Sequence, residues 1–102
     1  MQLRRTAVAT ALVLLAAQAG AQESTLARSL AATCANCHGT EGRALGDMKP
    51  LAGVSAEMIL AQLADLRSGA KPATVMHQIA KGYTDAQLRL IAGYFAVQKA
   101  TP

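Results

Sequence analysis

Two thiols and one imidazole stand close together in the run Cys34-Ala35-Asn36-Cys37-His38. This spacing is typical of covalent haem attachment. Thiols three positions apart on one helical turn can each add to a vinyl group of a porphyrin, and the adjacent imidazole then lies beneath the iron. The motif predicts one covalently attached haem c, with thioether bonds to Cys34 and Cys37 and with His38 as the proximal iron ligand.

Two other kinds of site use the same residue types. A thioredoxin-like redox pair needs a βαβ context, and the sequence contains no strand pattern. A zinc site needs four ligands. That number is only just available here, from Cys34, Cys37, His38 and His77, and the second pair lacks the usual spacing. The haem interpretation also explains how so small a chain builds a core, because a buried macrocycle adds apolar surface without a cost in chain entropy.

An iron that transfers electrons rather than binding gases needs a second axial ligand. The candidates are three methionines and one histidine: Met48, Met58, Met76 and His77. Met58 falls about 130° from the centre of the apolar stripe of its predicted helix, so we expect it at the surface. Met48 follows His38 closely in the chain, and this span is short for reaching the opposite face of a haem.

Met76 is the predicted distal ligand. It lies on an apolar helical stripe, and its separation from His38 is long enough to span both faces of a haem. A thioether ligand favours the ferrous state and raises the reduction potential relative to two imidazoles. His77 is rotated about 100° from Met76 on the same helix, and we expect it to be solvated.

A metal-bound imidazole usually donates its other N–H group to a carbonyl oxygen, which fixes the orientation of the ring. We expect Pro50, within residues 49–53, to present this carbonyl to His38. A simple bend of the loop is an equally good interpretation of the proline.

Composition sets limits on the class of protein. The chain has 102 residues, a formal charge of +4 and three aromatic residues, Tyr83, Tyr94 and Phe95. This length suits one small domain. The scarcity of aromatic side chains that could stack on bases excludes a nucleic-acid partner.

Residues 1–21 have the pattern of a cleaved secretory signal peptide. Arginines at positions 4–5 precede an apolar run over residues 7–17, and small residues offer cleavage after Ala19 or Ala21. The apolar run is shorter than the roughly 20 residues of a bilayer-spanning helix, so no stable membrane anchor is predicted. We therefore expect export to the periplasm.

The remaining residues, 22–102, are predicted to form one all-α domain of about four short helices wrapped around the haem. The predicted helices run from Thr25 to about Cys34, from the Ser55 cap to Ser68, from Pro72 to Gly82 and from the Thr84 cap to about Gln98. Ser55 is followed by Glu57 in the first turn, and Thr84 with Gln87 matches a capping box. Helical periodicity predicts the apolar stripes of the last three helices, which are Ile59, Leu60, Leu63 and Leu66, then Met76, Ile79, Ala80 and Tyr83, and then Leu88, Ile91, Ala92 and Phe95. Five glycines and prolines within residues 39–53 indicate a loop.

These features resemble class I cytochromes c, in which an N-terminal helix leads into Cys-x-x-Cys-His and a late methionine precedes a C-terminal helix. The resemblance covers essentially all of residues 22–102. Within that family, residues 74–83 and 91–95 are similar to the haem subunits of flavocytochrome c sulfide dehydrogenases. The resemblance implies that Met76 is the distal ligand.

The same resemblance implies that the N- and C-terminal helices cross at small and aromatic residues. Gly93, with Tyr94 or Phe95, fits that role. A glycine inside a helix costs about 1 kcal/mol relative to alanine, and close helix packing would explain its presence.

The resemblance implies that the chain receives electrons from an FAD-containing flavoprotein that oxidises sulfide, and passes them to a downstream soluble cytochrome. A free, diffusible monohaem carrier is the alternative, and a gas-binding sensor would require an open sixth position on the iron. Once the haem uses Cys34, Cys37 and His38, only His77 is left as a base near neutral pH, and it has no identifiable catalytic partner. We therefore expect no bond-breaking chemistry on this chain.

Overall fold

The computed structural model describes residues 2–100, and within them every regular element is helical. The elements are α1 (Gln2–Ala32), α2 (Ala35–His38), a 3-10 turn (Thr40–Gly42), α3 (Ala56–Ser68), α4 (Met76–Lys81) and α5 (Asp85–Ala96). The predicted all-α fold class is confirmed. None of the helices in this part of the chain has both the length and the apolar character needed to cross a bilayer.

α1 is much longer than predicted. It begins at Gln2 rather than near Thr25, because the preceding segment is rich in alanine and leucine, which are strong helix formers, and contains no proline. Residues 2–26 are all exposed, and Ala27 is the first buried residue. Only the end of α1 therefore packs in the core, and its buried residues are Ala27 and Ala31. The signal peptide over residues 1–21 stays a prediction.

α3 forms where its cap was predicted. The Ser55 hydroxyl accepts a hydrogen bond from the Met58 N–H group at 3.2 Å, and Gly69 ends the helix in the left-handed conformation. Glu57 lies in the first turn, where a carboxylate complements the free N–H groups. The predicted apolar stripe is buried or half-buried along its length: Ile59, Leu60, Leu63 and Leu66.

α4 is shorter than predicted, since it begins at Met76 and not near Pro72. The N-cap residue is Val75, whose side chain cannot accept a hydrogen bond, so the free N–H groups of the first turn have no side-chain partner there. Of its predicted inward stripe, Ala80 is buried and Met76 is half-buried, whereas Ile79 is 43% exposed. This helix has little of its own surface in the core.

α5 forms as predicted from its capping box. The Gln87 N–H group donates to the Thr84 hydroxyl at 3.1 Å, and the Thr84 N–H group donates to the Gln87 side-chain oxygen at 2.9 Å. The helix ends at Ala96, slightly earlier than expected. All four predicted core residues of α5 are buried: Leu88, Ile91, Ala92 and Phe95.

The core lies where α5 packs against the end of α1 and against α3. Ala31 of α1 and Ile59 of α3 join the buried residues of α5 in one cluster. An ion pair also links α3 to the start of α5, because Arg67 Nη1 lies 2.6 Å from Asp85 Oδ1. The Arg67 hydrogen bond and charge hold the pKa of the Asp85 carboxyl below its usual range.

Phe95 anchors the loop between α2 and α3 to this core. Its ring is 2% exposed, and its carbonyl oxygen accepts a hydrogen bond from the Gly53 N–H group at 2.9 Å. Gly42 packs against the ring with φ of +78°, and its carbonyl oxygen accepts bonds from the N–H groups of Leu51 and Ala52. A Cβ atom on Gly42 would lie only 2.7 Å from Phe95 Cδ1.

Gly93 does not have the close-packing role predicted for it. It is exposed, and a Cβ atom placed on it would have no neighbour within 4 Å outside its own helical backbone. The small buried residues of these two helices are alanines, namely Ala27 and Ala31 in α1 and Ala92 in α5. Nothing in the described residues explains the glycine.

We expect Gly42→Ala to lower the free energy of unfolding by about 2–4 kcal/mol, because it combines a left-handed backbone with a clash in a packed core. Urea denaturation measures the change. Gly46→Ala is the matched control, since Gly46 has φ of +65° and open space around its Cβ position. Equal losses in the two variants would contradict the role of the Phe95 contact.

We expect Gly93→Ala to raise the free energy of unfolding by about 0.5–1 kcal/mol, because alanine is the better helix former and meets no obstacle here. The same urea titration serves as the measurement. A loss of stability would show that position 93 does not tolerate a Cβ atom.

Candidate haem-attachment site

The two cysteines and the adjacent histidine lie on a single helical turn, as the motif requires. Cys34 has helical backbone angles, and its carbonyl oxygen accepts hydrogen bonds from the N–H groups of Cys37 at 3.3 Å and His38 at 2.9 Å. The turn ends at Gly39, whose φ is +81°. A Cβ atom there would lie 2.1 Å from the Arg43 carbonyl oxygen, so this position requires glycine.

The two thiols differ in environment and are not bonded to each other. Cys34 is half-buried beside the core, and burial raises the pKa of its thiol, although a hydrogen bond with the Thr33 side chain offsets part of the effect. Cys37 is exposed. One sulfur therefore faces the protein interior and the other faces outward.

The His38 ring is held by a backbone carbonyl in the manner of a metal-bound imidazole. Its Nδ1 atom lies 2.7 Å from the carbonyl oxygen of Lys49. Because a carbonyl can only accept, Nδ1 carries the hydrogen in the neutral ring, and Nε2 keeps a free lone pair. This arrangement leaves Nε2 as the atom that can bind iron.

The carbonyl belongs to Lys49 and not to Pro50, so that prediction was wrong by one residue. A residue before proline is disfavoured in the helical conformation, and this leaves its carbonyl without a helical partner. The signal in the sequence that could have pointed to Lys49 is its position immediately before the proline.

The candidate distal ligands occupy different environments. Met58 is 55% exposed on α3, as expected, and Met48 is 44% exposed in the loop. Met76 is half-buried at the first residue of α4. His77 differs from its prediction, because it is half-buried and its Nδ1 atom is shielded from solvent with no hydrogen-bond partner among the described residues.

The zinc alternative finds no support in the geometry. Over residues 2–100, no three side chains of the His, Cys, Asp or Glu type converge as metal ligands would. His77 in particular does not join Cys34, Cys37 and His38 in a group of this kind.

The exposed apolar side chains fit a large apolar cofactor. No polar residue is fully buried in the described part of the chain, yet large apolar side chains remain exposed on the two segments that carry the candidate ligands. They are Leu45 and Met48 after the attachment turn, and Val75 and Ile79 beside Met76. A haem removes apolar surface of this kind from water. The donor set and the surrounding surface therefore both fit a haem c.

A small helical fold with a Cys-x-x-Cys-His turn is typical of c-type cytochromes. No model of a known protein family matches the chain. It is 36% identical over 83 residues to cytochrome c-553 of Helicobacter pylori, a match that covers 79% of this chain and 86% of that protein. The chain therefore belongs to the cytochrome c family.

Two further relatives are named for sulfur metabolism. The chain is 42% identical over 66 residues to the cytochrome subunit of sulfide dehydrogenase of Chlorobaculum tepidum, covering 65% of this chain and 60% of the relative. It is 39% identical over 67 residues to the thiosulfate dehydrogenase electron acceptor of Stutzerimonas stutzeri, covering 62% of this chain and 31% of that protein. The predicted resemblance is confirmed, although the chain spans less than two thirds of either relative.

Proposed function

We propose that residues 22–102 form a monohaem electron-transfer subunit, exported to the periplasm after removal of residues 1–21. Cys34 and Cys37 hold the haem by thioether bonds, and His38 and Met76 are its axial ligands. The observation that carries this proposal is the attachment turn, in which both thiols and His38 share one turn while Lys49 orients the imidazole.

The haem supplies reversible one-electron exchange when it is bound. The residues of the chain control its environment. The Lys49 carbonyl keeps the hydrogen on Nδ1 of His38, so that Nε2 keeps the lone pair that would bind the iron. The Met76 sulfur would be the second protein ligand of the iron and would leave no position for water or gases. Because a thioether favours the ferrous state, this ligand pair suits acceptance of an electron from a reduced donor.

We propose an FAD-containing flavoprotein that oxidises sulfide as the electron donor, and a soluble cytochrome as the acceptor. The relative from Chlorobaculum supports this proposal, since it is named as the cytochrome subunit of a sulfide dehydrogenase. The relative from Stutzerimonas is likewise named as an electron acceptor, in that case for thiosulfate dehydrogenase. In this arrangement the chain only transfers electrons, and the partner carries out the bond-breaking chemistry.

A free, diffusible monohaem carrier is the second candidate. One observation favours it: the match covers 86% of the Helicobacter cytochrome but only 60% of the sulfide dehydrogenase subunit. A permanent subunit presents a stable interface, whereas a carrier makes weak encounters with several proteins. Co-purification of a flavoprotein with the chain would favour the permanent subunit, and its absence would favour the free carrier.

We expect Met76→Ala to abolish the absorption band from charge transfer between methionine and ferric iron, and to lower the reduction potential on the order of 0.1 V within the ~0.8 V range that axial ligands span. The reduced variant should bind carbon monoxide at neutral pH, and the wild type should not. Optical spectra and redox titration measure these changes.

Met58→Ala is the matched control for Met76→Ala, because Met58 is exposed on α3. Retention of the pigment in acid acetone checks that each variant keeps its haem covalently bound. An unchanged spectrum in Met76→Ala, with loss of the band in Met48→Ala, would assign the distal position to Met48. Carbon monoxide binding by the wild type would favour a gas-binding protein.

We expect the tagged protein, purified from its native periplasm, to retain a flavin-containing partner in stoichiometric amount. Flavin fluorescence of the purified sample and sulfide-dependent reduction of the haem are the measurements. An identically tagged unrelated monohaem cytochrome is the control for nonspecific capture. A preparation with haem and no flavin would leave the free carrier as the better account.

A further inference from the structure

A chain of two hydrogen bonds joins the attachment turn to the segment that follows α4. The Tyr83 hydroxyl lies 2.8 Å from the Thr33 hydroxyl, and the Thr33 hydroxyl donates to the Leu30 carbonyl oxygen at 3.0 Å. A threonine hydroxyl has one hydrogen, and a carbonyl can only accept. Thr33 therefore donates to Leu30 and accepts from Tyr83, so the bond across the fold runs from the tyrosine to the threonine.

Thr33 adjoins the attachment turn, and Tyr83 follows the helix that carries the proposed distal ligand. Thr33 immediately precedes Cys34 in the chain. Tyr83 follows Gly82, whose N–H group closes the last turn of α4 on the Ile79 carbonyl at 3.0 Å. The bond consequently connects the exit of the helix that carries the proposed distal ligand to the turn that carries the proposed attachment residues.

α4 has few other restraints. It has six residues and packs chiefly on α3, and Ala80 is its one buried residue. Val75 at its start provides no side-chain cap. A short helix with so little buried surface opens readily unless its ends are held. The Tyr83 ring packs against the core cluster, and its hydroxyl adds the directional contact.

We propose that Tyr83 is a positioning residue, which through Thr33 holds α4 against the attachment turn and so keeps the Met76 sulfur at the sixth position. This inference rests on the proposed ligation by Met76. Tyr83 itself does not contact the iron in this arrangement. Loss of the hydrogen bond lets α4 move away more often, and the sixth position then becomes accessible to an added ligand.

The test uses the full haem-containing protein and imidazole, which binds ferric iron only when the methionine leaves. We expect Tyr83→Phe to raise the affinity for imidazole about fivefold to tenfold, the change that follows from loss of one ordinary hydrogen bond. Phenylalanine keeps the ring in the core and removes only the hydroxyl. Optical titration measures the affinity, and urea denaturation measures global stability in parallel.

Tyr94→Phe is the matched control. Tyr94 packs edge-on against Phe95 with a centroid distance of 5.2 Å, and its hydroxyl makes no hydrogen bond within the described residues. Its imidazole affinity should equal that of the wild type. Thr33→Val should match Tyr83→Phe, while Thr33→Ser keeps a hydroxyl and should restore the wild-type affinity. The double variant should show no further increase, because both changes remove the same bond between Tyr83 and Thr33.

Three results would overturn this role of Tyr83. One is an imidazole affinity that stays unchanged while global stability falls, which would make the bond merely structural. Another is an equal rise in imidazole affinity in Tyr94→Phe. The third is an imidazole affinity in the Tyr83→Phe, Thr33→Val double variant that equals the combined effect of the two single changes. Failure of Met76 ligation itself is distinguishable, because the wild type would then lack the methionine charge-transfer band before any change at Tyr83.

Discussion

Burial of the Phe95 ring is the contact on which the rest of the structure depends. The ring fills the space beside Gly42, and the backbone carbonyl of the same residue binds Gly53. Both ends of the segment that contains Lys49 are therefore fastened to α5. Since the Lys49 carbonyl orients His38, the packing of one aromatic residue in the last helix is linked through this loop to the imidazole.

The two sides of the proposed haem site differ in how firmly the chain holds them. On the proximal side, a helical turn, an obligatory glycine at position 39 and the Lys49 carbonyl restrain His38 together. On the distal side, Met76 begins a six-residue helix without a side-chain cap. A rigid proximal side and a lightly held distal side suit a site in which one ligand anchors the metal and the other adjusts its potential.

Local signals in the sequence predicted much of the fold. Ser55 and Thr84 cap α3 and α5 because short polar side chains satisfy free N–H groups wherever the chain enters a helix. The burial of Leu88, Ile91, Ala92 and Phe95 followed from helical periodicity alone. The placement of both cysteines and His38 on one turn followed from their spacing.

Features that depend on tertiary contacts or on competing propensities were predicted less well. Pro72 is compatible with a helix start but does not require one, and α4 begins later. His77 is shielded because neighbouring segments cover it, which a helical projection does not include. Whether the carbonyl of Lys49 or that of Pro50 meets His38 depends on how the loop lies against the imidazole, which spacing alone does not give. The contact between Thr33 and Tyr83 spans 50 positions and has no signature in either local sequence.

The continuity of α1 across the predicted processing point has an electrostatic consequence. Ser24 and Thr25 now donate their hydroxyls to the Ala21 carbonyl, at 3.0 and 2.9 Å. Proteolysis after Ala21, one of the two predicted cleavage sites, would remove that carbonyl with the released peptide. Both hydroxyls would then be free to accept bonds from the newly exposed amides. The carboxylate of Glu23 would then lie near the positive pole of the shortened helix dipole. The residues that follow the cleavage site are thus suited to form the new N-terminus of the shortened α1.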